Sequence, residues 1–246
     1  MQKSLVIYDG PSLHDGQTPI VVIAVRSARN RKTGDMVQTY ILLRDIDPRD
    51  ANKTGKDAAI CGACPHRGTP TQDPARKLAE NRSCYVNIGQ GVLIVWRHFQ
   101  KGGYQNATSG EQIAALADGA MVRLGTYGDP SMVPSEIWET LLQSAKGRTG
   151  YTHQAENPNA DFRPDLTMVS VDNELAAFAA WSKGHRTFRV LAAGQAPIQG
   201  KEILCPSPRV KCTDCGLCTG IKPGAKSIAI AAHGPGKHTF SRIQAA

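Results

Sequence analysis

The chain has 246 residues, 41% of them hydrophobic, which is enough to bury a full core and excludes a disordered or fibrous protein. Its 29 Lys and Arg against 21 Asp and Glu leave a formal charge of +8, which favours DNA, RNA or another phosphate-bearing partner without identifying one. No apolar run reaches the roughly 20 residues of a membrane helix, and MQKSLVIYDG lacks the pattern of a secretion signal, so a cytoplasmic protein with no membrane partner is expected.

In chain order, IVVIAV (20–25) and VQTYILL (37–43) read as two β-branched strands joined by the basic turn SARNRKTGD, an N-terminal hairpin. Arg26, Arg29, Arg31 and Lys32 form its mild basic cluster. From Arg44 to Arg82 the chain is rich in Asp, Lys, Pro and Gly, and reads as a long functional loop. Ser109 and Gln112 suit a capping box for a helix EQIAALA, and MVRLG (121–125) reads as a buried strand. Pro134 suits the first turn of a helix SEIWETLLQSA with Ile137, Leu141 and Leu142 on one face. GRTGYTH and LTMVSV (166–171) read as strands, Asp172 as the cap of the helix NELAAFAAWSKG, and RTFRVL, EILC and SIAIAA complete the order.

This alternation predicts an α/β fold with a parallel sheet, a partial or compact (β/α) barrel carrying an N-terminal hairpin and cysteine-rich metal-binding loops. One domain is expected over 1–246: hairpin and loop at 1–54, barrel-like core at 55–200, and a cysteine-rich metal-binding segment at 201–246. Functional residues are expected at the C-terminal ends of the strands.

Seven cysteines in a cytosolic chain point to metal or redox chemistry rather than disulfides. CTDCGLC spaces Cys212, Cys215 and Cys218 so that a short loop wraps one centre. Cys205 or His233 supplies a fourth ligand; four cysteines suit zinc or an iron-sulfur cluster, and three with a histidine tilt toward zinc. In the first half, CGAC provides Cys61 and Cys64, and Cys84 follows a loop of 19 residues. That trio without an evident fourth leaves an iron or zinc with an open position, as chemistry requires. His66 and His98 are candidate local ligands, each more commonly a hydrogen-bonding neighbour.

Polar residues also gather at the predicted strand ends. GTYGDP presents Gly125, Tyr127, Gly128 and Asp129, either to a ligand or as a plain turn. GYTHQ ends with Tyr151, Thr152 and His153, SVDN with Ser170 and Asp172, and RTFRV contributes Arg186 and Arg189, able to hold a carboxylate or phosphate. Gly102, Gly103 and Tyr104 read as a turn, lacking the order of a P-loop.

The order CGAC…SCYV, RLGTYGDP with a tryptophan helix, GYTHQ and CTDCGLC…HG resembles a group of phage and plasmid proteins over about residues 55 to 235. That group is similar to radical S-adenosylmethionine (SAM) proteins, whose three cysteines hold a [4Fe-4S] cluster at the mouth of a partial barrel. The resemblance implies that Cys61, Cys64 and Cys84 are cluster ligands, that Gly125 to Asp129 lie near the cofactor, and that the closing cysteines hold a second cluster or zinc. It also implies a host-cell cytoplasmic location. The trio Cys212, Cys215, Cys218 with His233 is also similar to the zinc site of guanine transglycosylases.

The leading expectation is an iron-sulfur, radical-SAM-like metalloprotein acting on nucleic acid or a nucleotide, with Asp129, His153 and Arg189 lining the pocket. The competing one is a non-catalytic zinc or iron-sulfur protein that binds nucleic acid. A zinc-dependent transglycosylase-like enzyme is the further alternative.

Overall fold

A computed structural model describes residues 3–27 and 33–244; Arg29, Arg31 and Lys32 of the basic turn lie outside them. The chain opens with three antiparallel strands, β1 (Ser4–Pro11), β2 (Pro19–Ser27) and β3 (Met36–Leu43). The expected hairpin is β2 with β3. The strand β1 is an addition: Leu5, Val6 and Ile7 are buried, but the apolar run is short and ends in Asp9 and Gly10, which mask it in the sequence.

The segment 44–82 is more ordered than a plain loop. Asp47 accepts a hydrogen bond from Arg49 N to cap α1 (Pro48–Thr54), and Gly55, left-handed at φ 79°, ends it. Two further elements absent from the expected list are α2 (Ala58–Cys61) and α3 (Leu93–Gln100); Trp96 of α3 donates to Leu43 O at 3.1 Å. Ser109 caps α4 (Gly110–Leu116) through Gln112 N, and Gln112 returns a bond to Thr108 N, one residue before the expected partner. After β4 (Met121–Tyr127), helix α5 (Ser135–Leu142) buries Trp138 and Leu141, while Ile137 and Leu142 are partly covered.

The second half contains β5 (Gly147–Thr149), β6 (Tyr151–Thr152), β7 (Met168–Val171), α6 (Glu174–Ser182) and β8 (Thr187–Leu191). It closes with β9 (Glu202–Leu204), the turn α7 (Cys212–Cys215), β10 (Ser227–Ala231) and α8 (Lys237–Gln244). Helix α6 is capped by Asn173, whose side chain accepts from Ala176 N, so Asp172 is released for another role.

The fold is mixed α/β with two five-stranded sheets, β1-β2-β3-β4-β5 and β6-β7-β8-β10-β9. From β3 onward every pairing is parallel. Gly150 alone separates β5 from β6, so one extended run serves both sheets; its N–H donates to Cys218 O at 3.2 Å and its carbonyl accepts from Met168 N at 3.0 Å. The sheets therefore cut across the expected segments, because β2 and β3 pair into the same sheet as β4, and β9 and β10 belong to the parallel sheet. The main core packs the first sheet against α1, α3, α4 and α5. Tyr40, Arg123, Tyr151, Ser170, Phe188 and Ile230, from six different strands, line a single cavity of about 540 Å³. Among the described residues no helix is long and apolar enough to cross a membrane.

Candidate metal centre

All seven cysteines are free thiols, and all seven line that cavity. They form two groups. Cys61 ends α2, next to the C-terminal end of β4, since Asp129 N donates to Ile60 O at 2.7 Å. The Gln154 amide clamps the CGAC turn: it donates to Cys61 O at 2.9 Å and accepts from Ala63 N at 3.1 Å. Gly62 permits this at φ 55°, because a Cβ there would collide with the Gln154 side chain. Arg67 braces the same turn from behind, bonding Asp57 Oδ1 and the carbonyls of Gly55 and Gly62. The long loop then returns, and Ser83 N and Cys84 N both donate to His66 O, at 3.2 and 3.1 Å, which brings the third cysteine beside the pair. Burial, with Asp57 and Cys64 adding to it, pushes the Cys61 thiol well above its ordinary value; burial also raises Cys84, against the opposing charge of Arg82.

The second group is carried by the end of β9 and the loop between β9 and β10. The turn α7 packs on the approach to β3 and the start of β4: Thr213 N donates to Thr33 O at 3.1 Å, and Met121 is the nearest neighbour of Gly216. Functional residues were expected at the C-terminal ends of the strands; Cys205 directly follows the end of β9, whereas Cys212, Cys215 and Cys218 lie in the loop between β9 and β10. Burial pushes the Cys218 thiol up to about 12, with Cys205, Cys212 and Cys215 adding to it against a hydrogen bond from Tyr151. Cys212 is raised by burial and then by Cys205 and Cys215, against Arg123. Cys205 thus belongs electrostatically with the CTDCGLC trio. His233 lies after β10, its ring 5.5 Å from that of Tyr85 and its Nδ1 3.1 Å from Ala231 O.

Between the two groups stands Arg123, whose Nη2 donates to Tyr85 Oη at 2.7 Å. Tyr85 first, then Tyr151 and Cys212, outweigh burial and hold its charge in place. Arg123 opens the motif RLGTYGDP and Tyr85 lies in SCYV, but neither was given a role of its own from the sequence.

The strand-end residues divide. Gly125, Tyr127, Gly128 and Asp129 all line the cavity. The glycines serve the turn itself: at φ 66° and 82°, a Cβ on Gly125 would press on Gly128 O and Pro130, and one on Gly128 on Ile41. Asp129 is consumed by backbone donors, Oδ1 accepting from Ser131 N at 3.0 Å and Oδ2 from His153 N at 2.9 Å. Burial raises its pKa, and these bonds oppose the rise. It is a brace between β4 and β6 rather than a group free for chemistry. His153 Nδ1 lies 3.5 Å from Cys64 Sγ and its Nε2 3.5 Å from Asp172 Oδ1.

Arg189 is displaced from the expected site. It is 0% exposed, on the face of β8 opposite Phe188 and Val190, and is held by Glu202 at 2.9 and 2.6 Å. Arg186 is likewise spent, donating to the carbonyls of Leu217, Thr219, Gly220 and Lys226 and so fixing the loop after Cys218. His98 stacks edge-on against Tyr104 at 4.7 Å, outside the cavity lining, and packs against Gly103, in keeping with a plain turn.

The donor set fits a polyanionic metal group. Four buried polar atoms on the cavity wall, Arg123 Nε, Tyr127 Oη, Thr149 Oγ1 and His153 Nε2, have no hydrogen-bond partner within the protein. Among the described residues, the only three ligand atoms within 4.8 Å of one another are those of His66, His153 and Asp172. No three cysteine sulfurs among them all lie within 4.8 Å of one another. No protein-family model, curated protein or solved structure matches the chain.

Proposed function

We propose that the chain is an iron-sulfur metalloprotein of open βα-barrel architecture, in which Cys61, Cys64 and Cys84 hold a [4Fe-4S] cluster in the cavity. Cys205, Cys212, Cys215 and Cys218 hold a second, closed centre, an auxiliary cluster or zinc. The observation that carries this reading is the presence of all seven cysteines on one cavity, divided by their mutual neighbours into a trio and a quartet.

A cluster with one iron free of protein ligands supplies a site for one-electron chemistry on a bound cofactor such as SAM. The protein's own residues prepare that site. Gln154 and Arg67 fix the CGAC turn, Arg82 and Arg123 offset anionic charge, and Tyr127 Oη is a free donor beside Cys61. A volume of about 540 Å³ suits a small cofactor with part of a substrate. The charge of +8 supports a nucleotide or nucleic acid as that substrate. The transglycosylase-like zinc site draws no support from the position of His233 beside Tyr85.

A second reading has one observation of its own. Cys64, His153 and Asp172 stand in the order of a thiol nucleophile, its base and the group that orients it. Anaerobic reconstitution with iron and sulfide separates the two. The cluster reading expects visible charge-transfer absorbance and about four fewer irons per chain in a folded Cys84→Ser variant than in the parent. Uptake of zinc alone, or an iron count unaffected by Cys84→Ser, sinks it.

A further inference from the structure

Beside the cysteine trio, three other side chains converge. His66 Nε2 lies 2.8 Å and His153 Nε2 3.5 Å from the same oxygen, Asp172 Oδ1, and the three ligand atoms are all within 4.8 Å of one another. They come from separate stretches: the turn Pro65–Arg67, the end of β6 and the end of β7. All three line the cavity.

The outer nitrogens are held as well. His66 Nδ1 is 2.8 Å from Ser83 Oγ, and His153 Nδ1 is 3.5 Å from Cys64 Sγ. Each ring therefore directs Nε2 inward while a partner fixes Nδ1, the arrangement that orients metal-bound imidazoles. His153 Nε2 is buried and has no hydrogen-bond partner, although the carboxylate is near. Donors sharing an ion at about 2.0–2.2 Å stand roughly 3.0–3.5 Å apart, close to the separations of both nitrogens from Asp172.

We propose that His66, His153 and Asp172 form a mononuclear site for a divalent first-row metal ion, of the two-histidine, one-carboxylate kind, with its remaining positions open to the cavity. The site takes no thiolate as a ligand, so it goes beyond the reading of the cysteine groups and meets it only where Cys64 lies against His153 Nδ1. Ser83 acts on it as a positioning residue through His66.

Manganese(II) is the probe, because its preference for nitrogen and oxygen donors keeps it off thiols. Purified protein is titrated with Mn²⁺ while the electron paramagnetic resonance of the free aqueous ion is followed. One equivalent immobilised per chain is expected, with binding at least about tenfold weaker in His66→Gln and Asp172→Asn and measurably weaker in Ser83→Ala. Circular dichroism identifies any variant that fails to fold, and Ser83→Ala, which removes one hydroxyl, then carries the test. No immobilisation by the parent protein, or equal immobilisation by folded Asp172→Asn or Ser83→Ala, overturns the site. Iron measured after anaerobic reconstitution of the same preparations reads the cysteine centres separately: iron without Mn²⁺ uptake overturns this site alone, and Mn²⁺ without iron uptake supports it while overturning the cluster reading.

Discussion

Arg189 carries a charge into a fully buried position, and it remains tolerable there because Glu202, also fully buried, meets it at 2.6 Å. Removing one partner of such a pair leaves an uncompensated buried charge, at a cost of about 3–5 kcal/mol. Arg189→Met is therefore expected to unfold at a clearly lower denaturant concentration, with unchanged metal content per folded chain. Loss of metal from the folded variant would return Arg189 to the site. The alternation in RTFRVL shows two faces, but which one meets the cavity depends on neighbouring strands, so the sequence placed Arg189 at the site and the fold placed it in the core. The convergence of His66 with Asp172 was hidden for a related reason, since the two are 106 positions apart and meet only when β7 is in place.

Among the local elements, the CGAC turn is the most exacting. Gln154→Ala removes both bonds of the clamp on Cys61 O and Ala63 N, and iron content after reconstitution is expected to fall toward that of Cys84→Ser; full iron content would show that Arg67 suffices to hold the turn. Gly125→Ala forces a side chain into a left-handed backbone and against Pro130, with an expected loss of about 1–3 kcal/mol in chemical denaturation. A variant as stable as the parent would contradict that account of the turn. Most strands from β2 onward were legible from β-branched runs, α4 from its cap, and α5 and α6 from their apolar runs, although α6 is capped by Asn173 rather than Asp172 and Pro134 sits at the N-cap of α5 rather than in its first turn. Helices α1 and α2 were not, because elements of seven and four residues show too little periodicity, although Asp47–Pro48 and Gly55 mark the start and end of α1.

For the whole molecule, the burial that raises Cys61, Cys84 and Cys212, and Cys218 to about 12, keeps these thiols protonated at neutral pH. Metal binding requires thiolates, so loading is expected to release protons, and apparent affinity is expected to climb as pH rises from neutral toward alkaline values. A pH-stat during anaerobic metal addition measures this, and uptake with no proton release would contradict it. The parallel α/β character was readable from alternating strands and helices, but the single run through Gly150 that joins the two sheets was not, since nothing in GRTGYTH distinguishes one strand from two. The segment that follows β10 has a further consequence, for how the cavity wall is closed. A side chain at Gly234 would strike Tyr85 O and one at Gly236 Ser83 O, and Phe240 lies 5.5 Å from the His66 ring. The wall around Cys84 is thus closed by a stretch far from it in sequence, so the third cysteine is sealed only once the region after β10 has docked on the loop that carries it.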